Sequence, residues 1–147
     1  MKYLILLYAD EKAGGRIPPE DMARAMRGMY AYQEALNKAG AFIETGALAP
    51  TGEAKVVQIT GGEMKITEQG FIKEGGTLQV QDGPYAETRE QLGGYFVIEA
   101  ADMDAALDWA ARCPAAQWGP VEVRAFHNLL RLGEAPWCAD GGDAPQA

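Results

Sequence analysis

Apolar residues recur along the chain in two patterns: short runs typical of strands, and a three- to four-residue spacing typical of helices. Residues 2–9 (KYLILLYA) are almost continuously apolar, which predicts a strand that is central in its sheet or covered on both faces. Apolar positions then keep helical spacing from Glu20 to Ala39, and Gly40 follows as a left-handed cap. Residues 41–48 and 55–60 read as the next two strands.

The last third of the chain repeats this order after a glycine-rich middle. Residues 61–81 contain short β-like runs between glycines and predict one or two hairpins. A strand follows over residues 94–100, then a helix that Asp102 begins and Pro114 ends. Residues 121–126 alternate apolar and polar side chains, as a half-buried strand does.

This order predicts an α+β fold, the ferredoxin-like plait, in which two split βαβ halves share one antiparallel sheet. Helices would cover one face of the sheet and leave the other face open. A second copy of the chain is the natural cover for an open apolar face, so the pattern predicts a homodimer.

Composition narrows the class of protein. The chain has 147 residues, enough for one domain with its own core, which we place at residues 1–132. Residues 133–147 are rich in Gly, Pro, Ala and Asp and are expected to form a flexible tail. The net charge of −8 argues against nucleic acid as a partner, because acidic surfaces repel phosphate backbones.

The lengths of the apolar runs also predict where in the cell the protein is found. None reaches about 18 residues, so no membrane span is expected. The N-terminal run is short and ends at Asp10 without a small-residue cleavage site, which favours a cytoplasmic protein. Two cysteines, Cys113 and Cys138, do not suggest a structural disulfide.

The segment QDGPYAETREQLGGYF, residues 81–96, holds the strongest candidate chemistry. Asp82 precedes Gly83 and Pro84, and a carboxylate held in this way could act as a general acid or base. It could equally accept a hydrogen bond from a backbone N–H and only stabilise the turn. Tyr85 and Glu87 are candidate ligand-binding residues, and a metal held by Asp82, Glu87 and Glu90 is a weaker alternative.

Asp10 and Arg124 are further candidates for ligand binding. Asp10 follows the end of the first predicted strand, and Arg124 lies within the last. These strands can be neighbours in a plait, so the two residues could pair or bind a substrate carboxylate. His127 stands alone after the last strand. We find no motif for a cofactor or a metal.

The stretch DGPYAETREQLGGYFVIEAADMDAAL resembles the signature of the YCII-related family, in the branch often called DGPF-domain proteins. Tyr85 replaces the phenylalanine of the Asp-Gly-Pro-Phe motif. MKYLILLYAD and AARCPAAQWGPVEVRAF resemble the family as well. The resemblance implies a dimeric α/β-barrel built from ferredoxin-like halves.

Two functions follow from this resemblance. Related proteins include a dehydrochlorinase acting on a chlorinated aromatic diol, which implies a small-molecule pocket in the dimer with Asp82 and Tyr85 at its mouth. DGPF-domain proteins are often linked with extracytoplasmic-function sigma factors, which implies instead a non-catalytic regulatory or accessory partner. Others are proposed to use a His–Asp pair, which is not expected here because His127 lies in no such motif.

Overall fold

The computed structural model describes residues 1–68 and 70–127 of the chain. In chain order, the elements are β1 (Lys2–Ala9), α1 (Glu11–Gly14), α2 (Pro19–Lys38), β2 (Phe42–Ala47), β3 (Lys55–Thr60), β4 (Glu63–Thr67), β5 (Gly70–Glu74), β6 (Thr77–Asp82), β7 (Gln91–Glu99), α3 (Met103–Arg112) and β8 (Val121–Ala125). Short 3-10 turns lie at Thr51–Glu53 and Pro114–Gln117. The predicted tail and Cys138 lie outside the described residues.

One four-stranded antiparallel sheet, the main sheet, organises the domain. Its strand order is β2-β7-β1-β8, so the first strand is central, as its continuous apolar sequence predicted. This arrangement is α+β and compatible with the ferredoxin-like plait. The remaining strands form two separate two-stranded ladders, β3 with β6 and β4 with β5, which together project as a long hairpin.

The core lies between the main sheet and the two long helices. Alternate residues of β1 and β7 face the helices, and Tyr3, Ile5, Phe96 and Ile98 are buried there. Leu36 of α2 is fully buried among them. The opposite face of the sheet carries Leu4, Leu6, Tyr8, Tyr95 and Val97, which the register places between the core-facing positions. We call this the open face.

Tyr32 of α2 connects the helices to the sheet. The centroid of its ring lies 5.2 Å from that of Phe96 and 6.2 Å from that of Trp109, and both pairs are edge-to-face. Its hydroxyl donates to the carbonyl oxygen of Trp109 at 2.8 Å. Burial raises the pKa of Tyr32 strongly, so the side chain remains a neutral donor.

Replacing Tyr32 by phenylalanine is expected to lower the free energy of unfolding by about 1 kcal/mol, because the Trp109 carbonyl loses its partner while the ring contacts remain. Urea unfolding followed by fluorescence measures the change. Tyr30→Phe is the control, since Tyr30 is exposed on the same helix. Equal midpoints for the two variants would contradict the role of this bond.

The helix ends follow their sequence signals. Asp102 accepts a hydrogen bond from the N–H of Ala105, as an N-cap does, and Gly40 adopts the left-handed φ of 69° expected after α2. Glu34 and Lys38, four positions apart on α2, form an ion pair at 3.6 Å. The apolar pattern did not indicate the short helix α1, which Asp10 caps.

Candidate functional site

The signature segment, residues 83–90, connects the end of β6 to the start of β7. Gly83 continues the hairpin ladder by donating its N–H to the carbonyl oxygen of Ala54 at 2.7 Å. Its φ of 95° lies where only glycine is unstrained, so the turn requires this residue. Pro84 then directs the chain toward the end of the main sheet.

A hydrogen-bond network ties this segment to the domain through Glu11. The Glu11 carboxylate accepts from the backbone N–H of Thr51 at 2.9 Å and from its hydroxyl at 2.7 Å. The backbone N–H of Glu11 donates to the side-chain oxygen of Gln91 at 2.9 Å. The amide of Gln91 in turn donates to the carbonyl oxygen of Thr88 at 2.6 Å. Sequence reasoning identified none of this network, because its partners are 40 and 80 residues apart.

The anchored end of the segment forms one wall of an open cleft of about 380 Å³, the signature cleft. Its lining residues are Tyr8, Thr88, Arg89, Glu90, Pro120, Val121 and Glu122. Tyr8 lies at the end of β1, and Glu122 is opposite Leu6 in the register, so both project from the open face. The cleft therefore lies where the signature segment meets that face.

Arg89 is the cation of this cleft. It forms no ion pair with any residue in the described parts of the chain, although Glu90 and Glu122 also line the cleft. A guanidinium presents a planar fork of donors that fits a carboxylate in a bidentate manner. The cleft thus combines an available anion-binding group, an aromatic ring and two acceptor carboxylates.

Asp82, the predicted acid or base, is the last residue of β6 and lies at the base of the hairpin. Its side chain is 83% exposed and forms an ion pair with Lys55, the residue opposite it in the ladder. Asp82 therefore forms an ion pair with a lysine side chain. If it only stabilised the turn, its carboxylate was expected to accept a hydrogen bond from a backbone N–H instead. It does not line the signature cleft, and its acid–base role stays a prediction.

Tyr85 and Glu87 lie on the outside of the signature segment. Tyr85 is 91% exposed, and Glu87 is exposed too. Neither residue lines the signature cleft. Residues 87–90 form neither a helix nor a strand. Ligand binding by Tyr85 or Glu87 stays a prediction.

Asp10 and Arg124 are not brought together, although their strands are neighbours as predicted. The Asp10 carboxylate caps α1, accepting from the N–H groups of Lys12 at 2.9 Å and Ala13 at 3.3 Å. Arg124 is opposite Leu4, six positions back along β1, which corresponds to roughly 20 Å at strand spacing. The expected ion pair therefore does not form. His127 is exposed after β8.

The open face has an apolar centre and a polar edge. Leu4, Leu6 and Val97 lie centrally on β1 and β7. On the β2 side, the hydroxyl of Tyr95 donates to Glu44 at 3.0 Å, and this bond is the main cause of a raised Tyr95 pKa. The Tyr95 ring covers Gly46 so closely that a Cβ there would lie 2.7 Å from it.

A second cleft, of about 430 Å³, lies at the opposite end of β7, beside the start of α3. Most of its lining consists of alanine, glycine and backbone, together with Trp109. Its charged groups are the Met1 amino group and Glu99, which bond to each other at 2.5 Å. It therefore offers less chemistry to a ligand than the signature cleft.

Within residues 1–68 and 70–127, no cluster of three His, Cys, Asp or Glu side chains has metal-binding geometry. The alternative of a cation held by Asp82, Glu87 and Glu90 thus gains no support. In the same residues, no helix has the length and apolar character needed to cross a membrane.

Comparison with known sequences identifies the family. A profile described as the YCII-related domain matches residues 1–128. The chain belongs to the YCII-related family. A relative in Rhizobium meliloti (strain 1021), an uncharacterized protein, is 35% identical over 138 residues, which cover 92% of this chain and 99% of the relative. The resemblance to the YCII-related family is confirmed, and the matched residues include both walls of the signature cleft.

Proposed function

We propose that this YCII-related protein binds a small aromatic molecule carrying a carboxylate, in the signature cleft of a homodimer. The observation that supports the proposal is Arg89, which forms no ion pair with any described residue and lines the same cleft as Tyr8. A cleft of about 380 Å³ is within the range of small-molecule sites.

The three kinds of group in the cleft have separate roles. Arg89 binds the ligand carboxylate through two parallel hydrogen bonds. The ring of Tyr8 provides an apolar surface against which an aromatic ligand packs. Glu90 and Glu122 accept hydrogen bonds from hydroxyl groups. A ligand that carries both a hydroxyl and a carboxylate therefore contacts the glutamates as well as Arg89.

The homodimer closes the cleft. Its interface is the open face. This face has an apolar centre, formed by Leu4, Leu6 and Val97, and a polar edge, as protein interfaces usually do. Two such faces packed together form the dimeric α/β-barrel that the family resemblance implies. Since Tyr8 and Glu122 lie on this face, the partner would exclude water from the ligand and strengthen its polar contacts.

Asp82 has a supporting role in this proposal. Its ion pair with Lys55 holds the base of the hairpin, from which Gly83 starts the signature segment. A general base must reach the proton that it removes, and a carboxylate that is mostly in water and outside the cleft does not. The proposal is therefore one of binding, and catalysis by Asp82 remains a separate prediction.

The alternative function, a regulatory partner of an extracytoplasmic-function sigma factor, rests on the family resemblance alone. No contact or charge pattern among the described residues favours it over ligand binding. It stays a prediction to be tested by a direct binding assay with a sigma factor encoded nearby.

Arg89→Gln is expected to weaken binding of 4-hydroxybenzoate at least tenfold, because the bidentate contact to the carboxylate is lost. Isothermal titration calorimetry with the full chain measures the affinity. Arg27→Gln on α2 is the matched control, since it removes the same charge from an exposed arginine outside the cleft.

Titrations with benzoate and with phenol separate the two halves of the ligand, and only benzoate should depend on Arg89. Equal affinities for wild type and Arg89→Gln would contradict the proposal. So would a lack of saturable binding of all three probes at concentrations of about 1 mM and above.

A further inference from the structure

Gln91, the first residue of β7, uses both ends of its side-chain amide to hold neighbouring backbone. Its Oε1 accepts a hydrogen bond from the backbone N–H of Glu11 at 2.9 Å, and its Nε2 donates to the carbonyl oxygen of Thr88 at 2.6 Å. One partner is a donor and the other is an acceptor. A side-chain amide satisfies both, whereas a carboxylate offers acceptors only. Gln91 is therefore matched to this position by its chemistry as well as by its length.

A β-bulge directs Gln91 toward these partners. The register between β1 and β7 shifts between Leu7 and Tyr8, and Gly93 has no partner in it. Gln91 is thereby opposite Ala9, and cross-strand partners share a face of the sheet. Without the extra residue, Gln91 would shift by one position and project from the opposite face. The bulge thus places the amide on the side of the strand where α1 begins.

Two hydrogen bonds of Thr88 span Arg89 along the chain. The carbonyl oxygen of Thr88 accepts from Gln91, three positions later. The hydroxyl of Thr88 donates to the carbonyl oxygen of Glu90 at 2.5 Å. The backbone is therefore restrained on both sides of the arginine that lines the signature cleft.

The contacts of Gln91 lead back to the 3-10 turn after β2. The carboxylate of Glu11 binds the N–H and the hydroxyl of Thr51 in that turn, at 2.9 and 2.7 Å. The other end of the signature segment is tied to the same place, because Gly83 donates its N–H to Ala54 at 2.7 Å. Loss of the Gln91 contacts would thus release only the end of the segment that lines the cleft.

We propose that Gln91 is a positioning residue, whose amide fixes the backbone at Thr88 and so sets the position of the Arg89 guanidinium for a carboxylate ligand. Gln91 does not itself line the signature cleft. The ligand in this inference rests on the proposed function. The inference adds that the affinity of the cleft for a carboxylate depends on a side chain outside its lining.

Two substitutions of Gln91 test the inference. Gln91→Glu keeps the shape and the acceptor for Glu11 but places a carboxylate oxygen against the carbonyl oxygen of Thr88. Gln91→Met has a similar length, adds no charge and provides no donor for Thr88. We expect each variant to bind 4-hydroxybenzoate about tenfold more weakly than wild type, measured by NMR titration of the full chain.

The matched controls are Gln79→Glu and Gln79→Met, which make the same exchanges at an exposed glutamine of β6 outside the cleft. Both controls should bind as wild type does. Wild-type affinity in both Gln91 variants would overturn the inference.

A double variant separates positioning from a general loss of structure. If Gln91 acts through Arg89, the chain with both Arg89→Gln and Gln91→Met should bind 4-hydroxybenzoate as Arg89→Gln alone does, because the contact that Gln91 supports is already absent. A merely structural role would weaken binding by the same factor in both backgrounds. Additive losses would therefore overturn the inference.

Backbone amide relaxation of the ligand-free chain tests the same claim without a ligand. The order parameter of the Arg89 N–H should be close to about 0.85 in wild type and the Gln79 controls, and below about 0.6 in Gln91→Met and Gln91→Glu. An Arg89 amide as rigid in both Gln91 variants as in wild type would overturn the inference. Unfolding of both variants would overturn it too, since Gln91 would then hold the whole domain and not this segment.

These measurements distinguish the inference from the proposed function. If Arg89→Gln binds as wild type does while the Arg89 amide loosens in Gln91→Met, the proposed function fails and the positioning of the segment by Gln91 stands. If Arg89→Gln weakens binding and both Gln91 variants bind as wild type does, the proposed function stands and the inference fails.

Discussion

Replacing Leu36 by alanine is expected to lower the free energy of unfolding by about 2–5 kcal/mol, the cost of removing a buried leucine side chain and leaving a cavity. Leu36 is fully buried on α2 and belongs to the core that joins this helix to β1 and β7. Domains are stable by only about 5–15 kcal/mol, so the loss is a large share of the total. Urea denaturation followed by circular dichroism measures it.

Leu107→Ala is the control for this prediction. Leu107 also lies on a helix, α3, but its side chain is 48% exposed. The same atoms are removed from a site that water can fill, so the loss should be much smaller than at Leu36. Similar losses at the two positions would contradict the proposed core.

Replacing Gly119 by alanine is expected to destabilise the domain by about 1–3 kcal/mol or more, because the added methyl group has no space. A Cβ at this position would lie 1.8 Å from the carbonyl oxygen of Tyr8. The neighbouring Pro120 accepts a hydrogen bond from the N–H of Tyr8 at 3.0 Å, so the loop cannot withdraw without breaking this contact. Thermal unfolding should show the loss directly.

The same substitution should also weaken ligand binding, since Tyr8 and Pro120 both line the signature cleft. Gly52→Ala is the matched control, because a Cβ at Gly52 meets no atom within 4 Å. A Gly119→Ala chain that unfolds at the temperature of Gly52→Ala would contradict the close approach of the loop to β1.

The fold was largely predictable because its signals are local. A continuous apolar run marked β1 as central, and the helical spacing of apolar residues marked α2. Asp102 and Gly40 marked helix ends, since capping depends on residues only a few positions apart. The start of β7 was placed at Gly94 instead of Gln91, because pairing with β1 extends the strand through Leu92.

The candidate site was less predictable, because it depends on contacts between distant parts of the chain. Asp82 attracted attention as an acid next to a rigid turn, and its ion pair with Lys55 is visible only when β3 and β6 are paired. Arg89 did not stand out among its charged neighbours. It lines the cleft within a segment whose neighbour Gln91 accepts a hydrogen bond from Glu11, 80 residues away.

The resemblance to the YCII-related family directed attention to the signature segment but not to Arg89. The Asp-Gly-Pro motif has a structural explanation in the positive φ of Gly83 and in the ion pair of Asp82. We propose that the ligand-binding part of the signature is its other end, at Arg89. The central claim is therefore that this segment acts through Arg89, while Asp82 supports the hairpin base.

Titration of 4-hydroxybenzoate into Asp82→Asn and Arg89→Gln, side by side with wild type, tests this claim most directly. Asp82→Asn should bind as wild type does, because an exposed ion pair contributes at most about 1 kcal/mol to stability and Asp82 lies outside the cleft. Arg89→Gln should bind at least tenfold more weakly. Loss of binding in Asp82→Asn with binding retained in Arg89→Gln would contradict the account.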